Sequence, residues 1–136
     1  MKQIFINLPV KDPNASMAFY SELGFTNYPL FANNDQKCMV WSEQIYVMLQ
    51  SLEIFQGNTE KTTQDTPLSV TAKFTLPVES LDRVNFIAQK GVNAVGVEIQ
   101  PMKDEGFMQI RSIADLDGHH WDIIHLDMEK FKRIKT

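Results

Sequence analysis

The chain repeats itself about its midpoint, and this constrains its fold more than any other feature. Leu8-Pro9-Val10 returns as Leu76-Pro77-Val78, an offset of 68 in a chain of 136 residues. Phe19 and Gly24 return as Phe86 and Gly91 at an offset of 67. In each copy an apolar segment runs into Leu-Pro-Val, then a helical pattern, then a glycine. Between the copies lies GNTEKTTQDTP, residues 57–67, which has no large apolar side chain and reads as a connector. Matching residues in matching structural roles, split at the midpoint by a linker, point to two copies of one supersecondary unit.

Each copy reads as β-α-β-β-β. In the first, Ile4–Leu8 is a strand ended by Pro9. Asp12 is placed to cap a helix whose first position is Pro13, where the missing N–H costs nothing. Ala15, Met17, Ala18, Phe19 and Leu23 give that helix an apolar face, and Gly24 closes it. Asn27–Ala32, Lys37–Ser42 and Ile45–Gln50 follow as strands. In the second copy Val70–Val78 is a strand and Ser80–Lys90 a helix capped by Gly91; Val95–Gln100, Phe107–Ala114 and His119–Leu126 are strands. Asp117-Gly118 supplies the turn between the last two. Neither unit can bury both faces of its sheet alone. The expected architecture is therefore α+β: two βαβββ modules forming a curved mixed sheet with helices outside and a ligand on the concave side. The boundaries are module one 1–56, linker 57–67, module two 68–128 and basic tail 129–136.

Composition narrows the function classes. The single cysteine, Cys38, rules out an intramolecular disulfide framework and fits a reducing, cytoplasmic setting. No apolar run approaches the roughly 18 residues that span a bilayer, and MKQIFINLPV, broken by Asn7, reads as a strand rather than a signal peptide. A net charge of −4 and a pI near 5.3 argue against a nucleic-acid surface. Residues 130–136 hold four of the 13 basic side chains and no acid, which reads as the solvated end of a terminal helix. There is no glycine-rich phosphate loop, no HExxH and no nucleophile elbow.

Hairpin arithmetic places side chains on sheet faces, because directly opposite residues in an antiparallel pair have a constant sum of residue numbers. A two-residue Asp117-Gly118 turn gives a sum of 235, and a four-residue Asp115–Gly118 loop gives 233. Either sum puts Gln109, Arg111, Ile113, His120, Asp122 and Ile124 on one face, with an Arg111–Asp122 ion pair; only a bulge would break this. A turn at Glu43-Gln44 gives a sum of 87, which sets Met48 opposite Met39 and Tyr46 opposite Trp41, with Gln50 further along. A Met/Trp/Tyr wall and an Arg/Asp/Gln wall suit a small, partly apolar ligand with an anionic end. Cys38 falls on the face away from Met39 and reads as a small buried hydrophobe. His119 and His125 fall on the face away from Asp122. Glu98, Asp104 and Glu105 read as a solvated charged loop around Pro101.

The doubled βαβββ pattern resembles the vicinal oxygen chelate superfamily, which includes glyoxalase I, extradiol dioxygenases and the bleomycin- and fosfomycin-resistance proteins. The motifs that carry this are Leu8-Pro9-Val10-Lys11-Asp12, Phe19-Tyr20, Leu23-Gly24-Phe25, Gly106-Phe107-Met108, Arg111-Ser112 and the run from Asp115 through His119-His120-Trp121 to Asp122. The chain looks most like small bacterial proteins named predicted lactoylglutathione lyases. The resemblance implies a divalent metal held by side chains from four strands, at positions that fall on Phe5, Met48, Lys73 and Asp122. Phenylalanine, thioether and ammonium are not competent ligands for a hard divalent ion, and the neighbouring amides of Asn7 and Gln50 are weak ones. The four-ligand site is expected to be absent, with His120 and Asp122 the one ligand pair on a single strand.

Two functions follow. One is a lyase- or dioxygenase-type enzyme acting on a small oxygenated metabolite. In that reading Asp122 is the base or remaining metal ligand, Arg111 holds a substrate anion, and Phe5, Met39, Trp41, Tyr46, Met48, Gln50, Lys73, Gln109 and His120 line the site. The other is a non-catalytic protein that binds or sequesters a small molecule. The resemblance also implies a homodimer.

Overall fold

In a computed structural model, which describes residues 2–29, 32–57 and 70–135, the chain forms two compact units, Met1–Ser69 and Val70–Thr136. Each holds a four-stranded mixed sheet. The first unit runs β1 (Ile4–Val10), α1 (Pro13–Leu23), β2 (Thr26–Asn27), β3 (Gln36–Ser42), β4 (Ile45–Ser51) and α2 (Leu52–Gly57). The second runs β5 (Lys73–Pro77), α3 (Leu81–Asn93), β6 (Val97–Asp104), β7 (Met108–Ala114), β8 (His120–Leu126) and α4 (Met128–Lys135). The strand orders are β1-β4-β3-β2 and β5-β8-β7-β6, so the two units share one topology. In both, the first strand is parallel to the last and the remaining pairs are antiparallel.

The helix ends show how local chemistry sets the elements. Asp12 Oδ1 accepts the amide hydrogens of Asn14 and Ala15 at 3.0 and 3.2 Å, and Pro13 opens α1. Gly24 ends it at φ 109°, a left-handed conformation that suits a residue without Cβ. Ser80 Oγ accepts the Arg83 amide at 3.1 Å and caps α3. The expected Gly91 cap is not one: Gly91 is buried inside α3, which runs on to Asn93. The left-handed residue there is Val95 (φ 75°), with Gly96 N donating to Gly91 O and Val95 N to Val92 O, the paired bonds of a Schellman end. The Phe19–Phe86 match is likewise one of sequence alone, for Phe19 is buried whereas Phe86 is 50% exposed with Arg83 and Lys90 over its ring.

Several strand limits differ from expectation for physical reasons. The third segment is a strand only over Thr26–Asn27: Tyr28 N still donates to Cys38 O, but Pro29 has no N–H to continue the ladder, and residues 30 and 31 lie outside those described. Most of the connector at 57–67 also lies outside them. Short α2 was not foreseen; Ser51 Oγ accepts the Ile54 amide at 3.3 Å at its start. Around Pro101 the chain is strand β6, not a charged loop. Among the described residues no helix is long and apolar enough to cross a membrane.

The core of each unit lies between helix and sheet. In unit 1, Phe19, Tyr20 and Leu23 of α1 pack with Met39, Val47, Leu49, Phe25 and Trp41; in unit 2, Val84, Ile87 and Ala88 of α3 pack with Ile113, Trp121 and Ile123. Those residues occupy one face of each sheet, so alternation sends their chain neighbours to the other.

Candidate functional site

The hairpin of β7 and β8 decides which side chains meet, and its register is not the expected one. Opposite residues sum to 234: Ala114 faces His120, Ser112 faces Asp122 and Ile110 faces Ile124, while Arg111 faces Ile123 and Gln109 faces His125. The loop has five residues, Asp115–His119, an odd number that moves every side chain of one strand to the opposite face. Asp115 builds it: its Oδ1 accepts the amides of Asp117 and His119, both at 2.9 Å, and its own amide donates to His119 O. No bulge is involved.

The expected Arg111–Asp122 pair is therefore not made. Arg111 lies on the α3 side, where its Nε and Nη2 donate to Glu98 Oε2 on β6 and its Nη1 lies 3.4 Å from both oxygens of Asn85. Gln109 and Ile113 go with it. Gln109 Nε2 donates to Asp104 Oδ1 at 3.0 Å, and with the Gly106 amide this bond holds the Asp104 carboxyl below the usual carboxylate range.

On the face away from α3, Asp122 Oδ1 accepts two hydrogen bonds, from Ser112 Oγ at 2.6 Å and across 2.7 Å from His120 Nε2. The cluster is largely buried: the side chain of His120 is 10% exposed, and that of Asp122 17%. Asp122 Oδ2 and His120 Nδ1 have no partner among the described residues, yet no buried side-chain oxygen or nitrogen there lacks one, so both atoms are reached by solvent. Beside this cluster, parallel pairing sets Lys73 next to His120 and Thr75 next to Asp122, both exposed. Antiparallel pairing sets Gln100 next to Ser112 and Lys103 next to Ile110. Lys103 is paired to Glu105 at 3.1 Å, whereas Lys73 has no ion pair or hydrogen bond among the described residues.

In unit 1 the wall of Met39, Trp41, Tyr46 and Met48 divides. Ser42 faces Ile45 as the sum of 87 requires, but a bulge at Trp41 shifts the rest: Val40 faces Tyr46, Met39 faces Val47 and Cys38 faces Met48. Trp41 packs on the helix side, 5.0 Å from the Phe25 ring, and Met39 joins that core. The face away from the helix carries Phe5 and Tyr46, stacked 4.5 Å apart, Tyr28 edge-on to Tyr46, Met48, Cys38, and Gln50 donating to Gln36 at 2.7 Å. Cys38 is fully buried, and burial pushes its thiol above the usual value.

The registers make Cys38, Met48 and Asn7 the unit 1 counterparts of Ser112, Asp122 and Thr75. Ser112 and Thr75 were missed from sequence; an odd-loop register was the signal that would have found Ser112. A divalent ion does not fit this donor set. Of the four positions that the resemblance assigns, Phe5, Met48 and Lys73 offer no competent ligand. At the fourth, Asp122 Oδ1 already accepts two hydrogen bonds, and among the described residues no three His, Cys, Asp or Glu side chains gather as a metal group.

No family model and no curated protein matches the sequence. Solved structures do match. A hypothetical protein from S. aureus is 24% identical with a TM-score of 0.78, over 92% of this chain and 94% of that one. A glyoxalase-related enzyme from Fulvimarina pelagi is 21% identical with a TM-score of 0.78, over 92% and 88%. A glyoxalase/bleomycin resistance protein/dioxygenase family enzyme from Burkholderia phytofirmans PsJN is 12% identical with a TM-score of 0.77, over 93% and 99%. At such identities the likeness is one of architecture, and it shows that this chain shares the fold of these glyoxalase/bleomycin resistance/dioxygenase proteins.

Proposed function

We propose that this protein binds a small molecule without a metal cage, at the face of unit 2 away from α3 that carries Ser112, His120 and Asp122. The observation that carries this reading is the held carboxylate: two donors fix Asp122 by one oxygen and leave the other reached by solvent. Such preorganisation lowers the ordering cost of binding. The lactoylglutathione lyase-type reading from sequence needs a divalent ion to polarise a pair of neighbouring substrate oxygens, and the donors at Phe5, Met48 and Lys73 do not supply its ligands. Sequestration or carriage of a small molecule is the reading favoured here. From composition and the resemblance we also propose a cytoplasmic homodimer with no nucleic-acid partner, to be checked by fractionation, sedimentation and a DNA-binding assay.

The test combines metal analysis with a fragment screen read by amide NMR. Expected are well under one equivalent of divalent ion and saturable shifts on β5 and β8. A stoichiometric ion that is lost on chelation, together with activity that returns when it is restored, refutes the proposal. Trp41, which the sequence reading set among the residues lining the site, is not expected to report binding by its fluorescence, since its ring is on the helix side of its sheet.

A further inference from the structure

The face of unit 2 away from α3 pairs a fixed acceptor with a lysine that has no ion pair or hydrogen bond among the described residues. Asp122 Oδ2 accepts only, and it is held in place by Ser112 and His120. Lys73 stands on the adjacent strand, two residue pairs along and on the same face, since Lys73 faces His120 and Thr75 faces Asp122. Strand geometry puts their Cα atoms about 8 Å apart on the diagonal, a gap that a flexible lysine stem spans in part. The other lysine on this face, Lys103, is already paired to Glu105. Arg111, the cation that the sequence assigned to a ligand anion, is bound to Glu98 on the opposite face.

Resting on the small-molecule reading above, we infer that unit 2 recognises a small carboxylic acid bearing a hydroxyl or ammonium donor near its carboxylate. The carboxylate lies at Lys73 and the donor hydrogen-bonds Asp122 Oδ2, with the Thr75 hydroxyl beside both. A purely cationic ligand would set its charge against Lys73, and a purely anionic one would set its charge against Asp122. Only a molecule with both functions leaves neither group opposed. Ser112 is a positioning residue: its hydroxyl holds the carboxylate that the ligand touches.

The experiment uses the full chain in EDTA, titrated with L-lactate and β-alanine (carboxylate plus donor), propionate (carboxylate alone) and ethanolamine (donor alone), and read by amide shifts of β5 and β8. At least one bifunctional probe is expected to bind saturably, with propionate and ethanolamine about tenfold or more weaker, because a site that pairs both functions rejects molecules lacking one. Lys73→Gln and Asp122→Asn should each bring the bifunctional probe down to the level of the single-function ones. Ser112→Ala should narrow the ratio of lactate (or β-alanine) to propionate affinity with the rest of the spectrum in place, which a merely structural role would not do. Propionate or ethanolamine binding as tightly as the bifunctional probes overturns the inference. If neither bifunctional probe binds but other fragments shift β5 and β8, the inference fails and the small-molecule reading stands. If no compound shifts those strands, both fail.

Discussion

Arg111 separates the observed register from the alternatives, because it lies on the ligand face in one and on the helix face in the other. Its side chain is 11% exposed, and Glu98, its partner, 34%. Arg111→Ala removes two charge-assisted hydrogen bonds to one carboxylate, Nε and Nη2 to Oε2. Bonds to charged groups contribute roughly 1.5–3 kcal/mol. Breaking a fully buried pair costs roughly 3–5 kcal/mol because a charge is stranded, but Glu98 is one-third exposed and water recovers part of that. The contacts to Asn85 and Gln89, at 3.4 to 3.5 Å, are long and add little. The expected loss is about 2–3 kcal/mol, a fall in Tm on the order of 6–12 °C for a chain of this size. Urea unfolding followed by far-UV circular dichroism measures it. Arg111→Lys should keep the charge but lose the fork, giving up about half as much. A cycle with Glu98→Gln should show a coupling of about 1 kcal/mol or more. A loss under about 0.5 kcal/mol for Arg111→Ala, accompanied by loss of ligand binding, would falsify the register argument and return Arg111 to the ligand face.

Other expectations are narrower. Val95→Gly should raise stability by about 0.5–1 kcal/mol, since valine at φ 75° is strained and its side chain, at a residue 79% exposed, packs little; unchanged or lower urea stability would show that the strain is absent. Asp12→Ala should cost about 1 kcal/mol by freeing the amides of Asn14 and Ala15, and a cost near zero in the same unfolding assay would remove the cap from the account. Asp104 and Asp127 have folded carboxyl pKa values held below the unfolded one, chiefly by Gln109 and by the Lys130 amide. Their contribution is therefore present above the unfolded pKa and lost as pH falls through the folded one. A pH series of Tm should show that acid-side loss shrink in an Asp104→Asn, Asp127→Asn variant; an unchanged pH profile contradicts the assignment.

The resemblance in Leu8-Pro9-Val10 and its repeat was enough to reach the fold because the signals involved are local. Asp12 and Pro13 start a helix wherever they stand, Gly24 ends one, and alternating apolar runs make strands whatever they pair with. Gly91 shows the limit of that reasoning. A glycine near a helix end is a good candidate cap, yet here the helix continues through Asn93, the left-handed residue is Val95, and Gly91 enters the Schellman end only through its carbonyl, which accepts the Gly96 amide.

The contents of the site depended on quantities that the sequence leaves open. Which face Asp122 shares is decided by whether the loop before it has an even or odd number of residues. That count came from Asp115 folding its carboxylate onto two amides of its own loop, a side-chain-to-backbone pattern that Asp117-Gly118 does not announce. The bulge at Trp41 is of the same kind, an indole drawn to the Phe25 side of its sheet. By itself the sequence determined that two like modules fold and that His120 and Asp122 share a face, since residues two apart on a strand always do. Only the tertiary structure gave Asp122 to Ser112 and His120 rather than to Arg111, because one residue of register reverses a sheet face and no local propensity records it.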